Sequence, residues 1–163
     1  MLLGLLVKQL AKPSAPRAAP RGPNARTNAD AVNVVLQATA RKISEQGKDT
    51  LTDAEKRIWN TAVVIFFMTG DSRIGVPANA RVTSWGASAA GFREMGHPKL
   101  AECVRSMVVE LAYRADLHGR DQTANSASLL RIAELKRNFQ TIEAEVDLSG
   151  ELGELIHRLY ESG

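Results

Sequence analysis

The sequence contains a single cysteine, which excludes a disulfide framework within the chain and any zinc site built from several cysteines. Aromatic residues are also few, eight among 163. The apolar run near the start, Leu2 to Leu10, is far shorter than the roughly 20 residues that a membrane-spanning helix needs. No segment alternates apolar and polar residues for long enough to predict a β-sheet.

Charge is divided unevenly along the chain. The whole sequence carries 21 basic and 18 acidic residues, a net charge of +3. Residues 1–29 hold five of the basic residues and no acid, which leaves a net charge of −2 on the rest. Because the basic excess lies in the first segment and not on a folded surface, we expect no specific nucleic-acid binding. Weak contact of residues 1–26 with a membrane or a polyanion is consistent with their charge.

Residues 1–26 differ in composition from the remainder. Four of the six prolines fall at Pro13, Pro16, Pro20 and Pro23, which is typical of an extended, solvated linker. We therefore divide the chain into residues 1–26, a short apolar helix followed by a basic Pro-rich linker, and a single helical domain at residues 27–163. The first segment can be a flexible tail, a membrane-surface or partner-binding helix, or an export signal. We expect the protein to be cytoplasmic.

Beyond residue 27, six segments repeat apolar residues at steps of three and four, the spacing of one helix face. Thr52 and Glu55 form the most distinct start signal, a capping box. The apolar run 62–68 that follows is expected to be buried throughout. Gly86 and Gly91 are small enough to let a neighbouring helix approach closely. The predicted helices span 28–46, 53–68, 77–96, 98–119, about 125–146, and the residues after 150.

This pattern predicts an all-α protein, a compact bundle of about six helices with an N-terminal Pro/Arg-rich tail. The order in which the helices pack cannot be derived from the spacing alone. The oligomeric state is likewise left open.

One segment resembles a catalytic motif. Residues 63–72 are similar to the strand and nucleophile loop of the Gly-Asp-Ser serine hydrolases, with Ser72 as the nucleophile. That family also requires an Asp-x-x-His pair near its C-terminus, and His157 has Glu154 before it instead. The competing interpretation is a helix exit followed by a turn, in which Asp71 bonds backbone donors. A hydrolase centred on Ser72 is kept as an alternative, and we predict no enzyme activity.

No cofactor or metal site is expected. His97, His118 and His157 are far apart in the sequence, and none has a second ligand in a complete metal-binding set. His97 precedes Pro98 and is interpreted as a helix N-cap or N-prime residue, His118 as a helix C-terminal residue, and His157 as a surface residue. Cys103 lies on an apolar helix face, where cysteine behaves as a small hydrophobic residue.

The order of the helix boundaries resembles that of the bacterial DNA mimic protein 19 family. The resemblance rests on Leu51-Thr52-Asp53-Ala54-Glu55-Lys56-Arg57, on the segment from Phe92 to Glu102, and on closing helices that carry Leu135, Phe139, Leu152 and Tyr160. Members usually carry Asn-Asn-Gly-Gly-Phe where this chain has residues 69–75, so no binding residue is transferred. The resemblance implies a helical fold and a tendency to bind proteins. Imitation of DNA itself needs a strongly negative surface, which a body of net charge −2 does not provide.

We therefore predict a non-catalytic domain that binds another protein, as a bacterial regulator or an immunity-like inhibitor. The loop residues Asp71, Ser72 and Arg73 are the predicted contacts, because they join a buried helix to a proline-started one and offer three polar side chains. A membrane-surface-associated helical protein is the second alternative.

Overall fold

In a computed structural model of the chain, the structure describes residues 25–70, 74–117 and 121–161. These residues form six α-helices and no strand, so the all-α prediction is confirmed. Residues 1–24 of the predicted tail lie outside the described residues. The helices are α1 (Ala25–Gln46), α2 (Asp53–Thr69), α3 (Trp85–Glu94), α4 (Pro98–Leu117), α5 (Gln122–Glu143) and α6 (Leu148–Glu161), with a 3-10 turn at Lys48–Thr50.

Side-chain caps fix several helix starts. In α2, the Glu55 backbone N–H donates to Thr52 Oγ1 at 3.2 Å and the Thr52 N–H donates to the Glu55 carboxylate at 2.7 Å, which confirms the capping box. Asp121 caps α5 and Asp147 caps α6 through backbone N–H groups three residues later. These two aspartates start α5 at Gln122 and α6 at Leu148, a few residues before the predicted positions.

One hydrophobic cluster draws residues from all six helices. α2 supplies its centre, with Ile58, Ala62 and Val64 fully buried. Phe92 of α3 and Phe139 of α5 meet edge to face with ring centroids 5.5 Å apart, and both are inaccessible to solvent. Neighbouring helices pack in chain order from α2 to α5, while α6 returns to pack against α1 and α2.

Two glycines allow close helix contacts. A methyl group added at Gly91 would lie 2.1 Å from Thr61 Oγ1, so α3 approaches α2 there as the sequence predicted. Gly153 brings α6 against α1 in the same way, with Asn28 in the position that a side chain would occupy. The prediction for Gly86 is wrong, because this residue is exposed and faces open space.

The start of the third predicted helix is also wrong. We expected a helix from Pro77, but residues 75–84 are irregular and α3 begins at Trp85 with Ser84 as its cap. The cause is Asn60, a fully buried residue of α2. Its Oδ1 accepts the backbone N–H groups of Thr83 at 2.7 Å and Ser84 at 2.8 Å, which holds this part of the chain away from a helix.

Candidate functional site

The three predicted contact residues, Asp71, Ser72 and Arg73, lie outside the described residues. The structure describes the chain on both sides of them. Gly70 ends α2 in the left-handed conformation (φ 71°), and its N–H donates to the Phe66 carbonyl at 2.8 Å. Ile74, on the other side, is buried in the core. The segment that leads to Ser72 is therefore helical, as the helix-exit interpretation requires, and not the strand that presents the nucleophile in Gly-Asp-Ser hydrolases.

The irregular segment 75–84 is held to the helices at both ends. Gly75 (φ 70°) packs so closely on α1 that an added methyl group would lie 1.9 Å from Asn33 Oδ1. At the other end, the Trp59 indole Nε1–H donates to the Arg81 carbonyl at 3.1 Å, beside the bonds that Asn60 makes. A loop anchored in this way can form the wall of a rigid site without secondary structure of its own.

This loop forms one wall of an apolar groove, which we call the aromatic groove. α2, the start of α3 and Leu111 of α4 form the other walls, and the groove is partly open to solvent. Its volume of about 440 Å³ lies within the range of ligand pockets, roughly 300–1,000 Å³. The residues that line it are Val63, Phe66, Phe67, Ala78, Ala80, Arg81, Val82, Trp85 and Leu111.

Phe67 is the exposed centre of this site. We expected the run 62–68 to be buried throughout, but Phe67 has 39% of its surface exposed. Its ring meets that of Trp85 edge to face with centroids 5.9 Å apart. The Lys136 ammonium group of α5 lies 4.3 Å from the centre of the same ring, within cation–π distance.

Positive charge borders the groove. Arg81 is exposed in its wall, where its guanidinium donates to the neighbouring Ala80 carbonyl at 2.9 Å, and Lys136 lies over Phe67. Among the described residues that line the groove, none carries a carboxylate. Leu129, which is 44% exposed, lies on the same face of α5 as Lys136, since seven residues make two helical turns. The groove thus combines an apolar floor with two cations.

The histidines and the cysteine do not assemble into a site. The His97 carbonyl accepts from the Ala101 N–H at 3.1 Å, which confirms His97 as the cap of α4, and its ring contacts Glu151 of α6. His157 is partly buried, and His118 lies outside the described residues. Burial raises the pKa of the Cys103 thiol, and the adjacent Glu102 raises it further, so the reactive thiolate is disfavoured.

Within residues 25–70, 74–117 and 121–161, no three His, Cys, Asp or Glu side chains are grouped so that they could hold a metal ion. Of the helices that the structure describes, none has the length and apolar character required to cross a membrane.

Comparisons with family models, with curated proteins and with solved structures find no match to this chain. The resemblance to the DNA mimic protein 19 family stays a prediction that rests on the helix-boundary residues given above.

Proposed function

We propose that the domain is non-catalytic and binds another protein, and that the aromatic groove is its binding site. The observation that carries the proposal is Phe67, an aromatic side chain that is 39% exposed, although Val64, Ile65 and Met68 of the same helix are buried in the core. Exposed aromatic residues at the centre of a preformed cleft are typical of protein-binding hot spots.

The groove also defines the chemistry of the partner. Its apolar floor fits an aliphatic or aromatic anchor side chain, and a volume of about 440 Å³ accommodates one or two of them. Arg81 and Lys136 favour a carboxylate beside that anchor, because opposite charges at a rim orient a partner and increase its association rate. We therefore expect the groove to bind a segment that combines an apolar anchor with an acidic residue.

The predicted contacts at residues 71–73 are close to the same site in the sequence. α2 ends at Thr69, two residues after Phe67, and Gly70 follows it in the left-handed conformation. We propose that Asp71, Ser72 and Arg73 add polar contacts at the end of the groove. A regulator or an immunity-like inhibitor that acts by occupying its target needs only such a surface and no reaction chemistry.

The alternative of a serine hydrolase receives no support from the chain around Ser72. That family positions its serine from a strand, whereas residues 53–69 form α2. A fluorophosphonate probe separates the two functions, because an activated Ser72 would be labelled and a turn serine would not. Labelling of Ser72 would favour the enzyme over the binding domain.

The binding site can be tested by placing a photo-reactive benzophenone side chain at position 67 and irradiating cells of the native host. The proposal requires a covalent adduct with a protein partner. The purified partner is then titrated against the wild type, F67E, and Q37E as a matched control at an exposed position of α1. If Phe67 is a hot-spot anchor, F67E should lose about 2 kcal/mol or more of binding free energy, which weakens binding about 30-fold or more.

Two results would overturn the proposal: no adduct from position 67, or equal affinity for the wild type and F67E. A second variant, F67L, keeps the apolar character and is expected to retain most of the affinity, which separates a contact effect from a folding defect. The loop is tested by D71A and R73A, which should weaken capture without a lower unfolding temperature. Unchanged capture by both would remove the loop from the site and leave the groove.

A further inference from the structure

The hairpin of α4 and α5 carries a second exposed apolar surface. The two helices run antiparallel and are joined by ion pairing of Arg131 with Glu110 at 2.9 Å and by a hydrogen bond from Arg114 to Asn125 at 3.0 Å. On the side of the hairpin away from the core, Val109 is 69% exposed and Leu130 is 71% exposed. Single exposed apolar side chains are common on protein surfaces, but two large ones on one hairpin, together with the exposed ring of Tyr113, form a patch of the kind that marks an interaction surface.

Helical spacing places both residues beside one groove. A groove of about 480 Å³ runs between α4 and α5, and its lining includes Glu102 and Thr141. Val109 follows Glu102 by seven residues, two turns of α4, and Leu130 precedes Thr141 by eleven residues, three turns of α5. Val109 and Leu130 therefore flank the continuation of this groove toward the far end of the hairpin.

The floor of the groove is partly apolar. Cys103, Leu135 and Ile142 line it and are only partly buried against the core. Tyr113, which is 43% exposed, lies one turn beyond Val109 and stacks with Arg131 at 5.7 Å. We call the outer surface of α4 and α5 along their whole length, which includes this groove, Val109, Leu130 and Tyr113, the hairpin face.

Apart from Lys136, which lies over Phe67, α4 and α5 carry five basic and five acidic residues, so the charges of the hairpin face are balanced within the chain itself. Lys99 also lines the groove. Arg105 pairs with Glu102 at 3.1 Å, and Arg131 pairs with Glu110 at 2.9 Å. A face whose acids and bases neutralise each other attracts neither a strongly acidic nor a strongly basic partner, whereas a second copy meets it without net repulsion. Two copies of the aromatic groove, in contrast, would bring together the cations Arg81 and Lys136.

The size of the hairpin face also suits a dimer. α4 has 20 residues and α5 has 22. At 1.5 Å per residue the face is about 30 Å long, and two adjacent helices make it about 20 Å wide. The resulting area of about 600 Å² per copy reaches the lower end of specific protein–protein interfaces.

We infer that the hairpin face binds the same face of a second copy of this chain about a twofold axis. Such an interface is self-complementary, and it places four helices side by side, as in a four-helix bundle. The aromatic groove lies outside the hairpin face, so each protomer of the dimer keeps its groove open to a different protein. The inference rests on the hairpin alone and does not depend on the proposed function.

Sedimentation velocity of the full chain over a concentration series up to about 100 µM measures the association, because a dimer forms by mass action. The wild type should sediment as a dimer at the higher concentrations. V109E/L130E should be monomeric, because two buried carboxylates per copy disfavour the interface. V109I/L130M keeps the apolar surface and should remain dimeric, as should F67E and Q37E. Both glutamates replace highly exposed side chains, and circular dichroism checks that the helices persist.

A wild type that is monomeric over the whole series, or a V109E/L130E variant that still dimerises, would overturn the inference. A benzophenone side chain at position 130 distinguishes the occupants of the face. Cross-linking to α4 or α5 of a second copy supports the dimer. Adducts within one chain to residues 1–24, or only to a different protein, contradict it.

Discussion

A methyl group at Gly153 tests whether α1 and α6 are in direct backbone contact. An alanine in a helix interior normally stabilises it by about 1 kcal/mol relative to glycine. At Gly153 the added carbon would lie 2.5 Å from Asn28 Cβ and 2.9 Å from Asn28 Cα. Because a backbone atom cannot rotate away as a side chain can, the helices must separate.

The two effects have opposite signs, and their magnitudes decide the outcome. Inserting a methyl group into a well-packed contact costs about 1–3 kcal/mol, and contact with backbone atoms places Gly153 at the upper end. After the helix-propensity gain of about 1 kcal/mol is subtracted, G153A should be less stable than the wild type by about 1–2 kcal/mol. For a chain of this length that lowers the unfolding temperature by about 3–6 °C.

The matched control is Gly86, which is also helical but has no atom closer than 4.0 Å to the added carbon. G86A should equal or exceed the wild type in stability. Urea unfolding followed by circular dichroism at 222 nm measures both variants. G153A should cost less in an N28G background than in the wild type, because N28G removes Asn28 Cβ and Cγ, two of the three opposing carbons. A G153A variant as stable as the wild type, or more stable, would refute the close contact between α1 and α6.

Three further outcomes follow from other contacts. Asn60→Ala leaves two loop N–H groups without their acceptor and should cost about 2–4 kcal/mol in urea unfolding, with faster proteolysis of residues 75–84. Tyr160 has a buried hydroxyl with no partner among the described residues, and burial raises its pKa, so the wild type should lose stability as pH rises above about 10. Y160F should unfold with no such alkaline loss and with equal or greater stability at pH 7. Hydrogen bonding from Arg131 lowers the pKa of Glu110. The ionised carboxylate therefore stabilises the fold above the ordinary glutamate pKa, and this stabilisation is lost as pH falls through the lowered value. E110Q should show a smaller loss of unfolding free energy between pH 7 and 3.

The helix boundaries that were predicted correctly depend on local chemistry. Gly47 ends α1 with a positive φ of 88°, and the Thr52–Glu55 capping box starts α2, both through contacts within a few residues. The false start at Pro77 has the opposite origin. Proline permits a helix start, but Asn60, more than 20 residues earlier, takes the N–H groups of Thr83 and Ser84. Such a long-range competitor has no signature in the local sequence.

The candidate site was only partly predictable for the same reason. The predicted contacts, residues 71–73, lie outside the described residues and stay a prediction, whereas the proposed aromatic groove is lined by Phe66 and Phe67 near the end of α2. The sequence did not identify Phe67, because a phenylalanine within a continuous apolar run has no signal that distinguishes an exposed position from a buried one. Lys136 and Arg81 reach the groove from α5 and from an irregular loop, and their convergence depends on the packing of the helices. The aromatic content of the run 62–68 was the one available hint.

The packing of α6 on α1 also affects when α1 can fold completely during synthesis of the chain. Asn28 donates to the Gly150 carbonyl at 3.3 Å across 122 positions of the chain. At about 5–20 residues per second, a ribosome needs roughly 6–24 s to add that length. During this interval the apolar side of α1 lacks the helix that completes its cover.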